Sequence, residues 1–92
     1  MTSSPASHVP KPAGLNDLHA FAAVARTRNF RQAAIELGVS PSALSHTLRA
    51  LEARLGVRLL NRTTRSVAPT AAGDQLYGRI APLFREMADA VA

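Results

Sequence analysis

Apolar residues recur at intervals of three and four through most of the chain, a spacing that predicts a series of short amphipathic helices. The first helix is predicted over residues 15–27, with Asn16 as its cap. The second is predicted over residues 30–37, where Asn29 caps its start and Gly38 stops it. The residues that these two helices are expected to bury are Leu18, Phe21, Ala22, Ala25, Ala33, Ala34 and Leu37.

A third helix is predicted after a tight turn, over residues 41–55. Ser40 is a strong N-cap, Pro41 suits the first helical position because no partner is needed for its missing N–H, and Gly56 closes the helix. One face of this helix is apolar, and the opposite face is polar and basic. The apolar stripe consists of Leu44, Leu48, Leu51 and Leu55, and the polar face of Ser42, Ser45, His46, Arg49 and Arg54.

Two short apolar runs follow, over residues 57–60 and 66–68, and they flank the polar segment 61–65. This order predicts a β-hairpin with a basic tip that ends at Pro69. Thr70 then caps a last helix that continues to the end of the sequence. The pattern as a whole predicts a mainly α fold with one small β-hairpin.

The last helix carries an apolar stripe whose members are three or four residues apart. Such a stripe either folds back onto its own domain or pairs with the same helix of a second copy. We favour pairing, because a chain of 92 residues has little spare core with which to cover a helix over residues 70–92. The residues assigned to this dimerisation seam are Leu76, Ile80, Leu83, Phe84, Met87 and Val91.

Positive charge is concentrated in the middle of the chain. The formal net charge is +5, and ten of the eleven Lys and Arg residues are Arg. Residues 26–65 hold eight Arg against two acids, Glu36 and Glu52, which is a net charge of +6, whereas the rest of the chain sums to −1. Arg offers a planar donor fork that suits phosphate oxygens and guanine edges. This distribution predicts a polyanionic partner, either nucleic acid or an anionic surface.

Other classes of function are disfavoured by what the sequence lacks. It has no Cys, which excludes disulfides and thiol chemistry. Ser45 and His46 are adjacent and so diverge by about 100° on a helix, and the three His residues are scattered, so we predict no enzyme, no metal site and no cofactor. No apolar run is long enough to span a bilayer and no secretory signal is present, which predicts a cytoplasmic protein without a membrane partner. Residues 1–14, rich in Pro and Ser, are interpreted as a flexible arm.

The central functional signal is the helix–turn–helix over residues 30–55. In such a motif the second helix lies in the DNA major groove, led by residues near its N-terminus. The residues at those positions are Ser42, Ser45, His46, Thr47 and Arg49. The rival interpretation is a helical protein-interaction module whose basic face meets an acidic protein or an anionic surface. We favour DNA binding, because positive charge concentrates around this motif.

A longer pattern of residues extends beyond the helix–turn–helix on both sides. Its segments are 33–40, 42–46, 51–63 and 70–73, the last of which reads Thr-Ala-Ala-Gly. In this register the chain resembles the LysR-type transcriptional regulators over residues 15–92. The resemblance implies a winged helix-turn-helix domain over residues 15–69, followed by a linker and dimerisation helix over residues 70–92.

The resemblance also implies roles for individual residues. The third helix would enter the major groove of double-stranded DNA, the hairpin would lie as a wing on the adjacent backbone or minor groove, and the start of the second helix would face a phosphate. With those that the motif itself indicates, the candidate DNA contacts are Arg31, Gln32, Ser40, Pro41, Ser42, Ser45, His46, Thr47, Arg49, Arg62, Thr63 and Arg65. A homodimer would bind two operator half-sites. Members of the family continue into an effector-binding domain, so a small-molecule effector is expected only there.

Overall fold

A computed structural model describes residues 14–92 and shows four helices and one two-stranded antiparallel sheet. The elements are α1 (Leu15–Thr27), α2 (Phe30–Leu37), α3 (Pro41–Leu55), β1 (Leu60–Arg62), β2 (Val67–Pro69) and α4 (Ala71–Val91). The predicted fold class, mainly α with a small hairpin, is confirmed. The arm expected over residues 1–14 lies outside the described residues except for Gly14. None of the helices described is long and apolar enough to cross a membrane.

Three of the four predicted helix caps are present. They are Asn29, Ser40 and Thr70, whose side chains accept a hydrogen bond from the backbone N–H three residues further on, at 2.9, 3.1 and 3.0 Å. The prediction that Asn16 caps α1 is wrong, because Asn16 already lies inside the helix and Gly14 precedes it. At this end the Asp17 carboxylate accepts a hydrogen bond from the Gly14 N–H at 3.4 Å.

α1 is the centre of the hydrophobic core. Residues 20–25 are all buried, and α2, α3 and α4 all contact this helix. The apolar spacing predicts one buried face, and the central position of α1 buries further residues around it. α3 packs into the same core through Leu44, Leu48 and Leu51, which are at most 2% exposed. Leu55 does not continue that stripe: it is 44% exposed, because it is the last residue of α3 and the chain turns away from the core after it.

Small side chains bring α2 close to the other helices. Ala33 and Ala34 are at most 1% exposed, as predicted. Leu37, the third residue expected to be buried, is only half-buried because it lies at the end of α2. The turn that follows depends on Gly38, whose φ of 71° is in the left-handed region that a side chain disfavours.

The hairpin over residues 59–69, called the wing below, begins later than predicted. Its register pairs Leu60 with Pro69, Asn61 with Ala68 and Arg62 with Val67. The first strand was expected over residues 57–60, and that start is wrong. The Val57 N–H donates to the carbonyl of Glu52 at 3.2 Å, so this part of the chain still belongs to the C-terminal turn of α3.

α4 has a first half that packs into the core and a second half that lies beside the start of α1, where Met87 and Val91 line an open hollow with Leu15 and His19. Ile80 and Ala81 are buried, and Leu76, Tyr77 and Phe84 pack against the core. The apolar residues that stay exposed are Leu83 (57%), Met87 (48%) and Val91 (87%). The fold-back alternative therefore applies to the first half of the stripe, and pairing of the exposed second half stays a prediction.

The first turn of α4 lies directly against the wing. The Thr70 N–H donates to the carbonyl of Leu59 at 2.9 Å, and the Thr70 hydroxyl donates to the carbonyl of Arg58 at 2.7 Å. Gly73, one turn later, is buried so closely that a Cβ atom on it would lie 2.1 Å from the Leu59 carbonyl oxygen. Only glycine allows the two backbones to approach in this way.

This contact predicts opposite effects for two Gly→Ala substitutions in α4. Gly73→Ala should lower the free energy of unfolding by about 2 kcal/mol or more, because helix and wing must separate. Gly78→Ala should raise it by about 0.5–1 kcal/mol, because nothing lies within 4 Å and Ala is the better helix former. Urea denaturation followed by circular dichroism measures both. If Gly73→Ala and Gly78→Ala unfolded with the same free energy, the close contact at Gly73 would be contradicted.

Candidate nucleic-acid interface

The polar face of α3 is turned away from the core. Of the predicted contact residues in and before this helix, Ser40, Pro41, Ser42, His46 and Arg49 are exposed, and Ser45 and Thr47 are half-buried. Thr47 differs from the others because it lines a hollow of about 500 Å³ between α1, α2 and α3. That hollow also contains Asn16 and His19 of α1, so Thr47 lies on the side of α3 away from the wing.

A second cleft, of about 570 Å³, lies between the start of α2, the outer face of α3 and the wing. We call it the basic cleft, and its lining residues are Arg28, Asn29, Phe30, Arg31, Ser45, Arg49, Arg62, Thr63, Thr64, Arg65, Ser66 and Val67. Six predicted contacts are brought together there, namely Arg31, Ser45, Arg49, Arg62, Thr63 and Arg65. The other six, which are Gln32, Ser40, Pro41, Ser42, His46 and Thr47, do not line it.

Ion pairing leaves most of the arginines around the cleft without a counter-charge. The pairs in the described part of the chain are Arg26 with Glu36, Arg54 with Asp17 at 2.8 Å, and Arg62 with Glu52 at 3.3 Å. Residues 26–65 form the basic segment. Its arginines that make no ion pair within residues 14–92 are Arg28, Arg31, Arg49, Arg58 and Arg65. Four of these five line the basic cleft, so its positive charge is not neutralised by the protein.

Arg62, predicted as a DNA contact, is bound within the domain, and its role as a DNA contact stays a prediction. Its guanidinium lies 3.3 Å from the Glu52 carboxylate and 5.5 Å from the centre of the Phe30 ring, and its side chain is 20% exposed. Burial lowers the pKa of Arg62 below its ordinary value, Glu52 opposes that shift, and repulsion from Arg49 and Arg58 adds to it. Arg62 therefore forms part of the floor of the cleft.

Thr63 shapes the tip of the wing. Its hydroxyl oxygen accepts hydrogen bonds from the backbone N–H groups of Arg65 and Ser66, at 3.2 and 2.9 Å. Its own N–H donates to the carbonyl of Ser66 at 2.8 Å and closes the hairpin. These bonds occupy Thr63 and leave the Thr64 and Arg65 side chains exposed at the tip. Thr63 therefore has a role inside the turn, and the predicted contact with a partner stays a prediction.

Arg28 is a residue of the cleft that the sequence analysis did not select. It is the residue after α1, its N–H donates to the carbonyl of Val24 at 2.7 Å, and its φ of 54° is in the left-handed region. Within residues 14–92 it is the one residue other than glycine with a positive φ. The available signal was its position directly before Asn29, the cap of α2, where a guanidinium adds to the positive end of a helix.

The architecture of four helices and a wing matches a known bacterial family. The model of the family described as bacterial regulatory helix-turn-helix protein, lysR family, matches residues 15–74. The chain belongs to the LysR family. It is 53% identical over 73 residues to the uncharacterized HTH-type transcriptional regulator YcaN of Escherichia coli K12, which covers 79% of this chain and 24% of that protein. It is 49% identical over 76 residues to PgrR of the same strain, covering 83% and 25%.

Solved structures of LysR proteins have the same fold. The BenM DNA-binding domain in complex with catB site 1 DNA matches with a TM-score of 0.76 at 32% identity, covering 85% of this chain and 87% of that one. Full-length AphB, a virulence activator of Vibrio cholerae, matches with a TM-score of 0.79 at 28% identity, covering 85% and 27%. The chain spans about a quarter of the length of the curated LysR relatives it matches.

The left-handed backbone of Arg28 in this LysR domain leads to a prediction on stability. Arg28→Gly should unfold with a free energy about 1 kcal/mol higher than Arg28→Ala, because glycine relieves the strain and alanine keeps it. Both variants lack the guanidinium, so their difference reports only on the backbone. Arg31, exposed inside α2, is the matched control, since Arg31→Gly should be less stable than Arg31→Ala by about 1 kcal/mol. Urea denaturation measures the free energy of unfolding of all four variants. If the Gly variant were the more stable at both positions, or the less stable at both, the prediction would be contradicted.

Proposed function

We propose that this chain is the DNA-binding domain of a LysR-type transcriptional regulator and that it binds operator half-sites sequence-specifically. It acts as a dimer in the cytoplasm, without a catalytic step. The observation that carries this proposal is the continuity of two surfaces. The basic cleft, with four unpaired arginines, adjoins the exposed polar face of α3 through Ser45 and Arg49, which belong to both. The matching BenM domain in its DNA complex supports it.

The front of α3 is suited to reading base edges in the major groove. Ser42 and His46 are exposed there, and Ser45 lies between them and the cleft. A hydroxyl donates to or accepts from either kind of base pair, and an imidazole reaches purine acceptors. The twist of the helix keeps these three side chains clear of the core, which takes Leu44 and Leu48 instead.

The cleft is suited to the DNA backbone. Arg28 and Arg31 stand on either side of the N-terminus of α2, where unpaired N–H groups and the helix dipole already favour a phosphate. Arg65 extends the positive surface to the tip of the wing, where it would meet the adjacent backbone or a narrow minor groove. Arg49 lies between these two groups on α3. Phosphate contacts of this kind fix orientation and carry no sequence information of their own.

The second half of α4 is the proposed dimerisation element. Of the six residues assigned to the seam, Ile80 is buried in the core of its own domain, and Leu76 and Phe84 pack on that core. The seam proposed here is therefore narrower than the sequence indicated, and it consists of Leu83, Met87 and Val91. Two copies joined there would present two recognition helices to one side of a duplex. A small-molecule effector would act through the remainder of a full-length relative, outside this chain.

Salt dependence tests the proposed DNA contacts. With four unpaired arginines in the cleft, log affinity for a duplex should fall with log salt at a slope of about −4 per protomer. Arg65→Ala should weaken binding to all sequences alike and bring that slope about 1 unit closer to zero. His46→Ala should leave the slope unchanged and lose about 1–3 kcal/mol only on the preferred site. Fluorescence anisotropy on specific and scrambled duplexes measures all three.

Anionic vesicles provide the matching control for that titration. Equal affinity for vesicles and duplex DNA, or a slope near zero on DNA, would refute the proposed function and favour a general anionic-surface module. If His46→Ala lost the same affinity on every duplex, His46 would be a contact to the DNA backbone and not to base edges.

The proposed seam is tested by charge. Leu83→Glu with Met87→Glu should leave the domain folded but monomeric, because both side chains are exposed and a paired seam would bury two carboxylates from each protomer. Binding to a two-half-site operator should then weaken far more than binding to one half-site. Gln75→Glu with Arg85→Gln is the control, since it makes the same change of −2 in net charge at exposed positions off the seam. Analytical ultracentrifugation measures the mass, and an unchanged dimer in the first variant would exclude this seam.

A further inference from the structure

Glu52 is the residue that joins α3 to the wing. It lies in the last turn of α3, and one carboxylate oxygen, Oε2, accepts hydrogen bonds from the backbone N–H groups of Leu59 and Leu60 at 2.7 and 3.0 Å. Its other oxygen, Oε1, lies 3.3 Å from the Arg62 guanidinium. The side chain is 13% exposed, so little water competes for these bonds.

The wing depends on an anchor of this kind. A two-stranded hairpin is marginally stable by itself, because each strand has one edge without a partner. At the start of β1 the pairing is poorest, since Pro69 stands opposite Leu60 and has no N–H to donate. The Glu52 carboxylate binds the chain at this point and fixes the direction in which the wing leaves α3.

The contact continues across the floor of the basic cleft. Arg62, bound by Glu52, lies over the ring of Phe30, the first residue of α2. Arg49 and Arg58 lower the pKa of Arg62 by repulsion, and Glu52 is the one carboxylate that raises it. The three walls of the cleft are therefore linked through the pair of Glu52 and Arg62, in which Glu52 binds the wing and Arg62 reaches α2.

We propose that Glu52 is a positioning residue for DNA binding, which contacts no DNA itself but sets the wing at the angle to α3 that lets Arg65 and the front of α3 bind one duplex together. This proposal rests on the proposed function. Charge and positioning predict opposite effects of removing Glu52. Removing a carboxylate beside a DNA-binding surface makes the surface more positive, which by charge alone strengthens DNA binding. Loss of a positioning residue weakens DNA binding.

The test compares Glu52→Ala with Glu36→Ala, the same change at the other acid of the basic segment. Glu36 pairs with Arg26 and does not line the basic cleft, so its removal should leave affinity equal or slightly higher. Glu52→Ala should weaken duplex binding about tenfold at ~0.1 M salt, the effect of losing one phosphate contact. Glu52→Gln keeps an acceptor oxygen for the Leu59 and Leu60 N–H groups, and it should restore most of that loss. If Glu52→Ala fails to fold, Glu52→Asp takes its place, because its shorter side chain keeps the charge but withdraws it from the Leu59 and Leu60 N–H groups, and it should weaken duplex binding in the same direction.

A double-mutant cycle separates positioning from general destabilisation. If Glu52 acts through the wing, Glu52→Ala combined with Arg65→Ala should bind no more weakly than the weaker single variant. Combined with His46→Ala, its effect should multiply, because α3 keeps its own contacts. Binding by Glu52→Ala as tight as wild type, or a multiplied effect with Arg65→Ala, would overturn the proposal.

Amide hydrogen exchange keeps this proposal apart from the proposed function. The Leu59 and Leu60 amides should be protected in the wild type and Glu52→Gln and lose protection in Glu52→Ala, while core amides such as that of Leu48 stay protected. Unchanged protection in Glu52→Ala would refute the anchor whatever the DNA result. A wild type that fails to bind duplex DNA would refute the proposed function, and the exchange result would still decide whether Glu52 holds the wing.

Discussion

The packing of α3 against the alanine-rich helix α1 is the contact on which the rest of the structure depends. Residues 20–25 of α1 include four alanines, and small side chains let a second helix approach closely. Leu44, Leu48 and Leu51 occupy the space between the two helices, and their burial fixes the rotation of α3 about its own axis. With that rotation fixed, the polar positions of α3 face outward together. The proposed recognition surface is thus a consequence of core packing.

Electrostatic pairing then divides the arginines into two groups with different tasks. Of the eight arginines in residues 26–65, three meet carboxylates of the domain and hold elements together, and five make no ion pair within the described part of the chain and keep their charge available to a partner. Net charge alone does not reveal this division, because every arginine counts equally in the sum. Exposed ion pairs such as Arg26 with Glu36 add little to stability, whereas the pair of Arg62 with Glu52 is more enclosed and fixes geometry.

Local chemistry made much of this fold predictable from sequence. Caps such as Ser40, and glycines such as Gly38, act within a few residues, so the limits of α2 and α3 follow directly from them. Some errors are local, since Leu37, Leu55 and Val57 lie at helix ends, where the apolar spacing does not show that the chain is leaving the core. The others arise from contacts between distant segments. The spacing of apolar residues predicts that a stripe is covered but not by what, and the burial of Ile80 depends on where the core is. Likewise, the sequence does not show that Arg62 pairs with Glu52, because only the fold brings the two side chains together.

The glycine contact between α4 and the wing has a mechanical consequence. The backbones of Gly73 and Leu59 touch without an intervening side chain, and the Thr70 N–H is hydrogen-bonded to the same Leu59 carbonyl. No flexible group is present there to absorb a rotation, so a tilt of α4 about its first turn displaces the wing with it. The helix is held at two places, by the wing at its first turn and by the core at Ile80 and Ala81. A force that shifts α4 at its exposed end therefore displaces the wing that carries Arg65 only if it also shifts this core contact.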